Sequence, residues 1–345
     1  MNKRNPGLTL IEVLVFVGII IVAVLVIMPA IQRAQEEKRK SLCQDTLRRW
    51  GQAFSMYANE DPEQKFPPIQ MVNSEMVKEG AESIDCLELH FVPQPDLLYP
   101  ELIDNLGVLY CSSDPEAEED VIEVSENGLE GLFGEFKRQH FSYIYFGWAF
   151  DRLKVDPPQP LDRYPVLSEE LREPSPADIY VTPQFACGIE VFYSPLFEAG
   201  TKTVSLQEYL AMADSDLEVT APLGNSGGNT IRRLGKGVER FLVTDPDDTN
   251  AMKECASKIA TMMDAYGKSG VSTLYFNHIP GGSNVLYMDG HVEFVRFVGS
   301  PSGPGIDAGS TAPVLQGMAP IVSYIGRLGS GRSLRFLLQQ EREIE

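Results

Sequence analysis

The chain has 345 residues, a hydrophobic fraction of 43% and a formal net charge of −20, so it is long enough for one large domain or two ordinary ones and too apolar to be disordered. The charge is unevenly distributed: residues 1–58 carry eight Lys/Arg against four acids, net +4, and the rest carries 21 against 45, net −24. An acidic body argues against nucleic-acid binding, which rests on Lys/Arg contacts to phosphate.

The first predicted element is the apolar run Leu8–Ile31, 24 residues whose one charge is Glu12. As a helix it spans roughly 36 Å, against a hydrocarbon core of about 30 Å. Lys3 and Arg4 precede it, which predicts a cytoplasmic N-terminus and a body in the periplasm or outside. An ordinary secretory signal has an apolar core of about 7–15 residues and a small-x-small cleavage site. This run is longer and passes into QRAQEEKRK without such a site. A carboxylate at membrane depth costs on the order of 3 kcal/mol, so Glu12 needs a reason to be there.

Residues 32–58 contain no Pro and one Gly, and Cys43, Leu47, Trp50, Phe54 and Tyr57 recur at helical spacing. The helix therefore continues from Thr9 to Ala58 and becomes amphipathic beyond the membrane. Pro29 lies inside it and predicts a kink or local melting. NEDPEQKFPP ends it.

Residues 69–130 read as loops with short elements. Further along, 141–150 and 189–195 read as strands, 203–214 as a short helix and 221–237 as a Gly/Asn-rich loop. A strand over 240–245 and a helix over 250–267 follow. Residues 272–297 read as three strands joined by two turns, with breaks at Pro280-Gly281-Gly282 and Asp289-Gly290. The second break predicts a two-residue type I′ hairpin. Residues 298–313 have linker composition, and the remaining tail has helical apolar spacing interrupted by Gly-Ser-Gly.

The expected class is α+β: a long N-terminal helix, transmembrane then amphipathic, packed on an antiparallel sheet. The segments are 1–7, 8–31, 32–58, a globular domain over 59–297, and a linker and helical tail over 298–345. Five cysteines lie on the exported side, where disulfides are permitted. The count is odd, so at least one thiol is free or pairs between chains, and no C-x-x-C occurs, so nothing supports a zinc ribbon or a thioredoxin-type site.

PGLTLIEVLV followed by an apolar helix resembles the type IV prepilins and the pseudopilins of type II secretion. The resemblance implies a short basic leader, residues 1–7, that a membrane-embedded prepilin peptidase removes after Gly7 before methylating the new N-terminus, Leu8. It also implies assembly roles for Glu12 and Pro29, although the first mature residue of the family is more often Phe than Leu. It answers the question Glu12 poses. When subunits stack, each buried α-amino group meets a neighbour's carboxylate, and a paired buried charge costs far less than an unpaired one.

Other stretches resemble a prepilin-like group with a C-terminal His…Asp-Gly motif. CQDTLRRWGQAFSMYANED resembles its helix exit. LYCSSDPE resembles its Cys-Pro-Ser-Asp segment, with Ser112 in place of proline. FNHIPGGSNVLYMDGHVEF resembles its closing motif, with ten residues between His278 and Asp289, one more than usual. The group carries cysteines at the positions of Cys43 and Cys111, which implies a disulfide between them.

His278, Asp289 and His291 raise a metal reading, but Asp289 and Gly290 fit a turn, His291 starts the next strand, and His278 is expected to hydrogen-bond across the hairpin. TDPDDTN has alternating carboxylates and lacks the glycine of an EF-hand loop. Related pseudopilins bind calcium in C-terminal loops, which makes Asp245, Asp247 and Asp248 candidate Ca²⁺ ligands, against a plain solvated turn. No other cofactor is implied. No P-loop, nucleophile elbow or paired-carboxylate pattern occurs, so the expected role is structural rather than enzymatic.

The resemblance implies a bacterial inner-membrane protein that is processed and then built into a pilus-like fibre or pseudopilus. Its partners would be the membrane, the prepilin peptidase, an assembly platform with its ATPase, and copies of itself or other pilins or pseudopilins. The competing expectation is a periplasmic binding protein or enzyme that keeps its anchor and never polymerises.

Overall fold

The computed structural model describes residues 10–70, 90–114, 122, 141–171, 178–198, 206–269, 273–278, 281–297, 313–315 and 317–328. Gly7, Leu8, Cys86, most of the acidic run 116–126 and the linker over 298–312 lie outside these residues.

Helix α1 runs unbroken from Leu10 to Glu60, about 76 Å at the standard rise. Its two halves differ in environment. Large apolar side chains between Leu10 and Ile31 are 45–79% exposed, and the helix is long and apolar enough to cross a membrane. From Lys40 onwards one face is buried: Cys43, Leu47, Trp50, Phe54 and Ala58 line it. Pro29 removes the N–H that would bond the Leu25 carbonyl, and of the kink or local melting expected there the melting does not occur, since the helix runs on through it.

The strands are β1 (Ile69–Gln70), β2 (His90–Pro93), β3 (Tyr143–Tyr145), β4 (Gln159–Pro160), β5 (Tyr180–Val181), β6 (Leu217–Glu218), β7 (Thr230–Ile231), β8 (Ala260–Asp264), β9 (Tyr266–Ser269), β10 (Thr273–Phe276), β11 (Gly282–Tyr287) and β12 (Val292–Arg296). Among the described residues the shorter helices include α2 (Pro165–Glu170), α3 (Pro183–Glu198), α4 (Leu206–Ala213), α5 (Thr249–Ala256) and α6 (Ala319–Leu328). The central sheet has the order β12-β11-β8-β3 and is antiparallel throughout. The buried half of α1 lies across β11, β12 and β8. The class is therefore α+β, with a long apolar N-terminal helix and antiparallel sheets.

Four sequence expectations are corrected. Residues 189–195 belong to helix α3, where Phe185, Ile189, Phe192 and Tyr193 form a buried stripe of helical period. Residues 238–241 form a 3₁₀ turn instead of a strand. The predicted helix over 250–267 stops at Ala256, and β8 and β9 follow. Every residue of β8 is buried, so its sequence ATMMD shows no alternation and reads like a helix.

The fourth correction concerns the turn between β11 and β12. Gly290 has φ +89° and Asp289 is not left-handed, so the turn is not type I′. Gly290 N donates to Tyr287 O at 2.9 Å and Tyr287 N to His291 O at 3.0 Å. That is a three-residue loop with a left-handed glycine at its end.

The tail helix α6 buries residues 319–323 and Ile325 and packs on β9, β2 and β3. The Gly/Asn-rich loop is held by Asn225, which donates to Ala149 O and Asp151 Oδ1, both at 2.8 Å, and accepts from Arg232 N at 2.7 Å. Arg233 lies buried beside it and donates to the carbonyls of Phe66, Pro67 and Gly147.

Candidate functional site: the helix–sheet junction

The buried half of α1 meets the sheet at a cluster of four chemistry-bearing side chains. Cys43 projects from α1, Cys111 follows the 3₁₀ turn Leu106–Leu109, Asp264 ends β8, and His278 lies in the connection from β10 to β11. Cys43 and Cys111 form a disulfide with a Cα–Cα distance of 5.8 Å. Cys187 and Cys255 are free thiols, and burial pushes both above the usual thiol range, Cys255 to about 11.

His278 is fully buried. Its main chain bridges to Gly282, but its side chain does not reach across the hairpin as expected. Nδ1 lies 3.0 Å from Glu36 Oε1 on α1, and Nε2 lies 3.2 Å from Asp264 Oδ2 on β8. Nε2 is also 3.5 Å from Cys111 Sγ. Burial alone would lower the pKa of this imidazole; the carboxylates of Asp264 and Glu36 outweigh it and raise the pKa above its ordinary value. With both ring nitrogens protonated, His278 ties helix to sheet by two charge-assisted hydrogen bonds.

Asp264 is positioned from β11: Asn284 donates to its Oδ2 through both the backbone N and Nδ2, each at 2.8 Å. Oδ1 of Asp264 is buried and has no hydrogen-bond partner among the described residues. The reactive atoms of Cys43, Cys111, Asp264 and His278 lie within 4.8 Å of one another.

Sequence reasoning singled out three of these groups and missed two that complete the site. Glu36 and Lys40 continue the register of Cys43, Leu47, Trp50 and Phe54, so an acid on the packed face was a readable signal. Asp264 was hidden by the misread strand.

The other candidates separate from this site. Asp289 and His291 sit at the far end of the β11–β12 hairpin, with Asp289 Oδ1 2.6 Å from His291 Nδ1 and 3.0 Å from His291 N. The structure does not bring them to His278, so the three do not share a metal. Asp248 caps α5, accepting from Asn250 N at 2.9 Å and Ala251 N at 3.1 Å, and Asp245 accepts from Asp247 N at 3.0 Å. These exposed carboxylates serve a turn and a helix cap, the local bonding their residue types favour. Glu12 lies in the first described turn of α1, on its exposed apolar half.

Compared with models of protein families, with characterised proteins and with solved structures, the chain matches none.

Proposed function

We propose that this chain is a structural subunit of a pilus-like fibre or type II secretion pseudopilus, processed after Gly7 and methylated at Leu8. One observation carries the reading: a single continuous helix, Leu10–Glu60, is packed on the body along its second half and exposes its large apolar side chains along its first, among the described residues. An apolar surface of that extent needs lipid or other helices around it. Glu12 suits such packing, because an acid near the start of the helix can pair with a neighbour's α-amino group, and a paired buried charge costs far less than an unpaired one.

The body serves as a rigid head fixed to that helix by the sheet, the disulfide and His278. In this reading the chain is held in the inner membrane with its N-terminus cytoplasmic. A partner ATPase, acting through an assembly platform, supplies the work of extraction.

Mass analysis of the N-terminus tests the processing step. The mature protein is expected to begin at N-methylated Leu8. An intact Met1, or an unmethylated start elsewhere, would favour an anchored binding protein or enzyme that never polymerises.

A further inference from the structure

We propose that Cys43, Cys111, Asp264 and His278 form a redox-gated site for one zinc ion, closed while the disulfide stands and open once it is reduced. The inference goes beyond the fibre reading and stands whether or not the chain polymerises.

The donor set is two sulfurs, one imidazole and one carboxylate, a combination suited to four-coordinate zinc. A tetrahedral zinc ion, with Zn–S of about 2.3 Å and Zn–N of about 2.0 Å, holds its ligand atoms roughly 3.2–3.8 Å apart. The four donor atoms here all lie within 4.8 Å of one another, in a fully buried setting. With the disulfide cut, the two sulfurs must part while the other donors draw in slightly.

Two further observations fit a metal better than a plain crosslink. Glu36 holds Nδ1 of His278 at 3.0 Å and so aims Nε2 at Cys111 and Asp264. A carboxylate on the far nitrogen is the usual way a metal-binding imidazole is oriented. Asp264 is fixed in the same manner, with Oδ2 held twice by Asn284 while Oδ1 stays buried with no hydrogen-bond partner among the described residues. An unmet acceptor in a dry interior costs about 1–3 kcal/mol, and a cation there would remove that cost. The ion pairs of His278 explain its two nitrogens, but they leave Oδ1 unexplained.

The chemistry balances. A dithiol reductant supplies two electrons and two protons, breaks the Sγ–Sγ bond, leaves two thiols and itself becomes a disulfide. Zinc then displaces both thiol protons and the Nε2 proton to solvent, and bonds form to both sulfurs, Nε2 and Asp264. A disulfide oxidant reverses the sequence and expels the ion. The helix stays fastened to the body in both states, covalently to Cys111 in one and through the metal in the other.

The test uses the full chain in detergent, reduced with a dithiol that is then removed under argon, and titrated with Co²⁺ as a spectroscopic probe followed by Zn²⁺. The reduced chain is expected to take one cobalt, with thiolate charge-transfer absorption and tetrahedral ligand-field bands that one equivalent of zinc abolishes. The oxidised chain and the Cys43→Ser, Cys111→Ser double variant should show neither. Glu36→Gln should bind with an unchanged spectrum and about 10–100-fold weaker affinity, as expected for loss of an orienting group. Circular dichroism follows the fold throughout. If reduction unfolds the chain, zinc is expected to restore it. Absence of thiolate absorption in the reduced chain, equal cobalt affinity in the double variant or in His278→Gln, or failure of zinc to restore a reduced, unfolded chain would each overturn the proposal.

Discussion

His278 works as a junction because its two ring nitrogens address carboxylates from two elements, Glu36 on the helix and Asp264 on the sheet. Removing it from the oxidised chain leaves Asp264 buried without its counterion. His278→Ala is expected to cost about 3–5 kcal/mol, the usual penalty for breaking a buried pair from one side. Denaturant unfolding of the oxidised protein measures this, and a loss below about 1 kcal/mol would contradict the account. His90 is the opposite case. It is buried, its Nδ1 has no partner among the described residues, and burial pushes its pKa down to about 4. The unfolded chain, with an ordinary histidine pKa of about 6.5, takes up that proton first. The contribution of neutral His90 is complete above pH 6.5 and is lost as pH falls towards 4. The full loss is on the order of 3 kcal/mol. His90→Phe should therefore lessen the acid sensitivity of unfolding between those pH values; an unchanged pH profile would show that His90 is not a buried neutral imidazole.

At the scale of elements, legibility followed the number of faces each element buries. Half-buried α1 shows its stripe openly in Cys43, Leu47, Trp50 and Phe54, and its extent could be read to within a few residues. The fully buried β8 offers a continuous apolar run, which periodicity alone does not assign. Helix α3 was masked because Ile189, Val191, Phe192 and Tyr193 favour strands intrinsically, and packing overrides that preference. The hairpin was visible, but its turn type was not, since Asp-Gly serves more than one loop geometry. The close approach of β11 to β12 also depends on a glycine. A Cβ on Gly282 would sit 2.5 Å from Val295 O and 2.9 Å from Arg296 Cα, both backbone atoms. Gly282→Ala must push the strands apart at the end that carries His278, for about 1–3 kcal/mol. A lowered melting temperature is the expected result, and an unchanged one would mean that the pair separates freely.

For the molecule as a whole, the bipolar helix sets the problem that any function must solve. The body has its own core, in which Trp50 and Trp148 are completely buried, and Trp50 Nε1 donates to Val108 O at 3.0 Å. The first half of α1 contributes nothing to that core. The candidate junction was partly legible: Cys43 and Cys111 through the resemblance, His278 through its motif. Glu36 could be read as an acid on the packed stripe of α1, but bringing it to one site with Asp264 required the three-dimensional fold, because the two come from segments more than 200 residues apart. The central claim is that Glu12 receives the α-amino group of a neighbouring copy. Its most direct test is the yield of sheared or extracted fibres from cells carrying Glu12→Ala beside the unaltered chain, with membrane-bound protein measured in parallel. Fibres are expected to disappear while anchored, folded protein persists at the normal level. Fibres in undiminished yield would contradict the claim.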